Sequence, residues 1–406
     1  MYPDIRDLRI DLFRGLALWM IFTDHIIGNY FSHFTYHAIG YSDAREIFIF
    51  LSGISASLAY GKMTRVHGIW WSQFRALYRS VQIYLGYLIV TIASFVIVLS
   101  TANMMRSADA GPGEFDLLFT DPARALIAAV SLNYMPGYLD ILPVYIAFVA
   151  LAPLAGEGLR RMPALFLCSS ALLWLAAAAS VKGSSVPNLV PGGVLDFNPY
   201  SWQLLFCIGM FAGEYCYFKE MTFRRIPWLT KACWAVIAGN LLVHLAGTVG
   251  GGASPLSAFR AIYDANHALR LQDTEHFLRL THFLAVAYVV TQYVPAHSFL
   301  LRWTWCRPLI LCGKFSLETF CLGIVLSMIG SVYFEMVSPG ITAQFFANLL
   351  GWGLMTGLAV SLAAVRRGDA KSWSRTPRTH LETPAEIPLD RPVRPPARNL
   401  FPGMEP

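Results

Sequence analysis

Ile83-Tyr84-Leu85-Gly86-Tyr87-Leu88-Ile89-Val90-Thr91-Ile92-Ala93-Ser94-Phe95-Val96-Ile97-Val98-Leu99 contains neither a charge nor a proline. It does not alternate apolar and polar residues, as a strand of a membrane barrel does. With its flanks it reaches the roughly 20 residues that a helix needs to cross a bilayer. Ala164–Val181 is a second uncharged run of this kind. The whole chain follows the same pattern. Of its 406 residues 55% are hydrophobic and only 14% charged, with a mean hydropathy of +0.48. Average soluble proteins carry about 25% charge. These proportions exclude an ordinary soluble globule, and disorder needs low hydrophobicity. The fold class is therefore all-α: a polytopic helical membrane protein.

Apolar runs of spanning length predict about ten transmembrane helices, over 12–31, 44–61, 77–100, 138–156, 163–181, 202–218, 228–246, 277–295, 308–331 and 343–365. The spans read as continuous, with no internal repeat. Ala123–Tyr134 reads as a short helix at the outer surface. With the amino terminus inside, 24 of the 31 lysines and arginines fall on the inner side and 7 on the outer. This bias predicts that both termini are cytoplasmic. The start is too charged for a signal peptide, so the first span is expected to remain as an anchor. Residues 1–365 form the membrane domain. Residues 366–406 hold 8 of the 23 prolines and read as a disordered Pro/Arg-rich cytoplasmic tail. Two outer loops, Thr101–Asp121 and Gly247–His276, are long enough for binding work. An amphipathic helix is expected near 256–270. The seven cysteines are scattered, with neither a disulfide framework nor a zinc spacing. No metal is expected, and the net charge of +6 follows topology rather than nucleic acid.

Ionisable residues inside spans are costly and are functional candidates by default. The first span carries Arg14, Asp24 and His25. Eleven residues separate Arg14 from His25, within about 20° of three full turns, so the two share a face about 16 Å apart. Asp24 points about 100° away from His25 and cannot orient it from within one regular helix. Asp43 and Glu46 share a face at the start of the second span. Ser52, Gly53, Ser55 and Ser57 read as small residues for close packing. Arg75 and Arg79, at i and i+4, form a two-pronged cation suited to phosphate. Arg279 and His282 repeat the Arg/His pairing at the outer end of span eight. Tyr134, Tyr138, Trp202 and Gln203 stand at the outer entries of spans four and six.

Six ordered blocks resemble the OpgC proteins. They are Arg6–Leu18 with Ile21–His25, Glu46–Gly53, Asn133–Tyr138, Pro199–Phe206, Leu278–Ala285 and Ile310–Glu318. The resemblance covers nearly all of residues 1–365. It implies a bacterial inner-membrane enzyme that succinylates osmoregulated periplasmic glucans, within the broader acyltransferase-3-like group. That group carries a basic residue, ten others and then a histidine on the first span, as Arg14 and His25 do. The implied partners are a cytoplasmic acyl-CoA co-substrate (succinyl-CoA in the glucan chemistry), a periplasmic glucan and the lipid bilayer. No cofactor is bound permanently, and a homo-oligomer stays open.

The residues fit that chemistry. Imidazole has the intrinsic pKa for general-base work near neutral pH, so His25 is expected to take the proton of a sugar hydroxyl attacking the thioester. Asp24, Asp43 or Glu46 would orient it. Arg279 or His282 would stabilise the oxyanion; the alternative role for Arg279 is to hold the free carboxylate of a succinyl group. Arg14, Arg75 and Arg79 would hold CoA phosphates. Tyr134, Tyr138, Trp202 and Gln203 would meet the sugar. Two rivals remain: a proton-coupled transporter or exporter of a saccharide or small anion, and a non-catalytic membrane partner in glucan assembly.

Overall fold

A computed structural model describes residues 7–105, 115–135, 139–179, 197–219, 225–248, 259, 261–264, 276–295 and 298–375. Among these residues 88% are helical and none is in a strand, in line with the uninterrupted apolar runs. The helices are α1 (Leu8–Asp24), α2 (Ala44–His67), α3 (Ile69–Met105), α4 (Asp116–Thr120), α5 (Pro122–Val130), α6 (Ile141–Arg161) and α7 (Pro163–Ala179). After them come α8 (Pro199–Gly213), α9 (Pro227–Thr248), α10 (Phe277–Tyr293), α11 (Arg307–Lys314), α12 (Ser316–Val337) and α13 (Ile341–Arg375). Six of these, α2, α3, α6, α9, α12 and α13, are long and apolar enough to cross a membrane. On α3, Phe74, Leu77, Val81, Leu85, Ile89, Ile92, Val96 and Leu99 form a continuous exposed apolar stripe at helical spacing. Such a stripe is stable against lipid and not against water.

Every apolar run carries a helix, with bounds that differ by several residues from the sequence reading, and three of the differences change the path of the chain. The first run reaches residue 31, whereas α1 ends at Asp24 after 17 residues. Gly28 takes φ +75°, a conformation that favours glycine. The Asn29 side-chain Nδ2 then donates to the Thr23 carbonyl at 2.9 Å, closing the helix end. Hydropathy cannot see this stop, because Tyr30 and Phe31 still score as apolar. The ninth span is not continuous. Phe315 (φ −108°, ψ 46°) breaks it into α11 and α12. Finally, α13 runs to Arg375, ten residues into the expected tail, and the first proline of that stretch is Pro377. By contacts the chain divides into one unit over Met1–Ala363 and a second over Ala364–Pro406. Tyr138, most of 256–270 and everything after 375 lie outside the described residues. The seven cysteines are all thiols.

Two close helix contacts organise the first unit, and glycine permits both. A Cβ on Gly53 of α2 would strike the Phe206 carbonyl of α8, and one on Gly209 would strike the Phe50 carbonyl. A Cβ on Gly15 of α1 would likewise meet the Leu309 carbonyl of α11, and one on Gly313 the Asp11 carbonyl. This is small-residue packing, in which backbones approach because no side chain intervenes. Around these seams lies a core that includes Leu18, Ile49, Ile83, Tyr87, Leu142, Leu205 and Phe315. Trp19 of α1 stacks on Trp352 of α13 at 5.1 Å. Gly53→Val is expected to lower thermal stability at the upper end of the roughly 1–3 kcal/mol cost of overpacking. The matched control is Gly239→Ala, where a Cβ meets nothing within 4 Å. A thermal-unfolding series in detergent checks this, and equal melting of the two variants would contradict the seam.

Candidate active site

The ionisable candidates converge where α1 ends and α2 and α10 begin. Asp43 is the N-cap of α2. Its carboxylate accepts from the Arg45 N–H at 2.7 Å, while Glu46 Oε2 accepts from the Asp43 N–H at 2.8 Å. This reciprocal capping box fixes both carboxylates at the helix start. Arg279, in the first turn of α10, then inserts its guanidinium. It pairs with Glu46 and with Asp43 Oδ2, the latter at 3.1 Å. Arg45 pairs with Asp43 at 2.8 Å. Glu46 is 0% exposed and Arg279 3%. Two cations balance two carboxylates, as buried charge requires. Burial would raise the Asp43 carboxyl, but the charges of Arg45 and Arg279 hold it well below the usual carboxylate range.

Trp202 of α8 roofs this cluster. Its ring lies 5.4 Å from the Arg279 guanidinium and 5.8 Å from that of Arg45, within cation–π range. It is fully buried and stacked on Phe197 at 4.2 Å. This differs from the expected sugar platform, since the faces a sugar would need are occupied. Gln203 is also engaged inside the bundle. It accepts from Ser170 Oγ at 2.6 Å and donates to the Ser170 carbonyl at 2.8 Å, tying α8 to α7. Tyr134 is buried against Phe95, and its carbonyl accepts from the Tyr87 hydroxyl at 3.2 Å.

The histidines take distinct places. His25 caps α1, with its N–H on the Ile21 carbonyl at 3.0 Å, and its ring lies within electrostatic reach of Arg45 and Asp43. Asp24 does not serve it. The Asp24 carboxylate accepts from Thr35 Oγ1 at 2.6 Å and lies 3.4 Å from His37 Nδ1, which is itself 2.8 Å from Thr35 Oγ1. That outcome follows from the 100° offset between neighbours on a helix. His282 is fully buried, with Nδ1 2.6 Å from Ser42 Oγ; Ser42 in turn donates to the Tyr36 hydroxyl at 2.8 Å. The Tyr36 and His282 rings stack at 5.9 Å. Gly40 lies against that imidazole, where a Cβ would come within 2.8 Å of Nε2.

The three basic candidates for a phosphate lie elsewhere. Arg14 Nη2 donates to the Leu51 carbonyl at 3.0 Å and to Ser55 Oγ at 2.5 Å, tying α1 to α2. Arg79 donates to Gln82 at 3.0 Å. Arg75 is exposed beside Phe74, Leu77 and Tyr78. Among the described residues, no group of three or more His, Cys, Asp or Glu side chains could hold a metal.

Residues 6–367 match the family model described as OpgC protein. The chain belongs to the OpgC family. No curated protein and no solved structure matches it. OpgC membership suggests an acyltransferase role connected with osmoregulated periplasmic glucans, and the long apolar helices suggest a multi-pass membrane protein.

In this OpgC chain the sequence reading missed Thr35, Tyr36, His37 and Ser42. The available signal was the density of polar rings in the loop after α1: His25, Tyr30, His33, Tyr36, His37 and Tyr41 within seventeen residues. His37 makes a pH prediction. The hydrogen bond to Asp24 raises its imidazole above 6.5, against the effect of burial. Its contribution to stability is therefore complete below about pH 6.5 and is lost as pH rises through the folded value. The protection factors of the amides of residues 30–40, which remove the intrinsic pH dependence of exchange, should fall across that window in the wild type and be flat in His37→Ala. An identical profile in both would remove His37 as the cause.

Proposed function

We propose that this protein moves an acyl group, succinyl by analogy with glucan succinylation, from cytoplasmic acyl-CoA to a hydroxyl of a periplasmic glucan. The observation that carries the reading is the neutralised cluster of Asp43, Glu46, Arg45 and Arg279 beside His25, held by helix starts in an OpgC family member. In this reading His25 takes the hydroxyl proton as the oxygen attacks the thioester. Asp43 is the carboxylate within electrostatic reach of His25, which makes it the better candidate to steady the imidazolium. Glu46 fixes Arg279, whose guanidinium faces the developing oxyanion. Asp24 acts through His37, and His282 through Ser42, to hold the loop between α1 and α2 in place. Preorganised dipoles of this kind need no rearrangement during reaction, which is how such sites lower barriers.

The excess of lysine and arginine on one side supports cytoplasmic termini and an even number of spans, the apolar runs support about ten of them, and the OpgC membership supports an inner-membrane location. The donor's pantetheine arm would then cross most of the bilayer to bring the thioester to His25. The test is transfer of labelled acyl groups from acyl-CoA to purified glucan by the protein in proteoliposomes. Labelled glucan supports the proposal. A second reading, proton-coupled export, draws on the break at Phe315, since transporters bind at interrupted helices. Proton-coupled saccharide flux without acyl-CoA, and no labelled glucan, would replace the first reading with the second.

A further inference from the structure

Side chains of α12 and α13 hold the segment that follows His25. On α12, Ser331 Oγ accepts from the Ile27 N–H at 2.9 Å and lies 3.3 Å from the His25 carbonyl, within donating distance. On α13, Gln344 Oε1 accepts from the Tyr30 N–H at 2.8 Å, while its Nε2 donates to the Pro339 carbonyl at 3.0 Å. At i+4 on the same helix face, Asn348 meets Asn29 in a reciprocal pair. Each Nδ2 donates to the other's Oδ1 at 3.0 Å. Both side chains are buried.

Backbone contacts fix which way round each amide stands. Asn29 Nδ2 also donates to the Thr23 carbonyl at 2.9 Å, and Asn29 Oδ1 accepts from the Phe31 N–H at 3.2 Å. Asn348 Nδ2 also donates to the Gln344 carbonyl at 2.8 Å. An amide side chain offers two donors and two acceptor sites, and Asn29 uses all four. Half of them satisfy backbone groups around the end of α1, where helix carbonyls lose their intrahelical partners. The other half go to Asn348. Close approach of α13 depends on Gly351, where a Cβ would run into the Phe22 ring of α1. The stop that ends α1 is thus anchored on helices more than three hundred positions away in the chain.

His25 sits between the two anchored parts. Its N–H is bonded to Ile21 within α1, and its carbonyl faces Ser331. A misplacement of about 1 Å, caused by a change away from the chemistry, can cost about 10²-fold in rate. We propose that Asn348 and Ser331 are positioning residues that fix the end of α1 and with it the place of His25. The proposal rests on the reading above of His25 as the general base.

The experiment uses the full-length protein in nanodiscs. Asn348→Leu removes the amide pair at similar volume, and Ser331→Ala removes only the hydroxyl. Protection factors of the amides of residues 25–31 are measured beside kcat per folded protein and donor KM. Both variants should lose protection there and lower kcat about tenfold or more, with donor KM unchanged. Asn348→Asp adds a conservative rescue. A protonated carboxyl can donate to Asn29 Oδ1 as the amide does, and a carboxylate cannot. Burial raises the pKa of a carboxyl, so kcat of this variant should match the wild type at low pH and fall below it as pH rises. A purely structural role would change the amount of folded protein and leave that ratio flat. Should Asn348→Leu fail to fold, Ser331→Ala and Asn348→Asp carry the same test. Wild-type kcat in these variants at every pH, with transfer abolished in His25→Ala, would overturn the proposal and leave the reading of His25 intact. A raised donor KM at wild-type kcat would overturn it as well. Conversely, lost protection with wild-type transfer in both Asn348→Leu and His25→Ala would keep the anchor and end the reading of His25 as the base.

Discussion

His25→Ala should lower acyl transfer by about 10²- to 10⁴-fold, the usual contribution of a positioned general base, without loss of folded protein. The argument is positional. His25 stands at the end of α1, where the helix stops at Asp24 and the loop turns through Gly28. Its backbone hydrogen bond to Ile21 is independent of the side chain, so alanine keeps the cap. The charges that reach its ring, Arg45 and Asp43, are already engaged with each other at 2.8 Å. Loss of the imidazole therefore leaves the frame neutralised and standing. The expected signature is a fall in kcat with little change in donor KM, because the base acts on the transition state rather than on donor binding. His25→Ala with wild-type turnover would end the mechanism. Equal loss in His37→Ala would shift the proton-accepting role towards the loop.

The second large effect falls on stability. Arg279→Met should cost about 3–5 kcal/mol, as breaking a buried ion pair does when it strands the partner's charge. Glu46 is 0% exposed, and its other oxygen is committed to the Asp43 N–H, so it cannot turn to water. Adding Glu46→Gln to Arg279→Met removes the stranded charge. The double variant should recover most of the melting temperature lost by the single one, since an uncharged replacement of a buried pair is often near neutral. Activity should not return, because the guanidinium that faces the oxyanion is gone. Thermal unfolding and turnover measured on the same samples separate the two roles. If activity recovered together with stability, Arg279 would be purely structural.

These residues also show where sequence reasoning reaches and where it stops. The helices were legible because an unbroken apolar run has one stable form in lipid, with every backbone group satisfied within the segment. The end of α1 was not, because it depends on the φ of Gly28 and on an Asn29 side chain rather than on hydropathy. Phe315 breaks a run in which Lys314 and Glu318 share a face at i and i+4 and so read as partners on one continuous helix, whereas Gly313 packs against the Asp11 carbonyl just before the break. Asp43 and Glu46 were visible as a pair at i and i+3, but the same spacing is the signature of a capping box, and the structure uses it so. Arg279 and Asp43 are 236 positions apart, and only folding brings them together. Trp202 was readable as an aromatic at a helix entry. Its stacking on Phe197 was not, and that contact turns it from a surface ring into the roof of an ion-pair cluster.

The most direct test of the central claim is mass spectrometry of periplasmic glucans from cells making either the wild-type protein or His25→Ala at matched membrane levels. Acyl-substituted glucans with the wild type and unsubstituted glucans with the variant are the predicted result. The same substitution in both, or none in either, would contradict it.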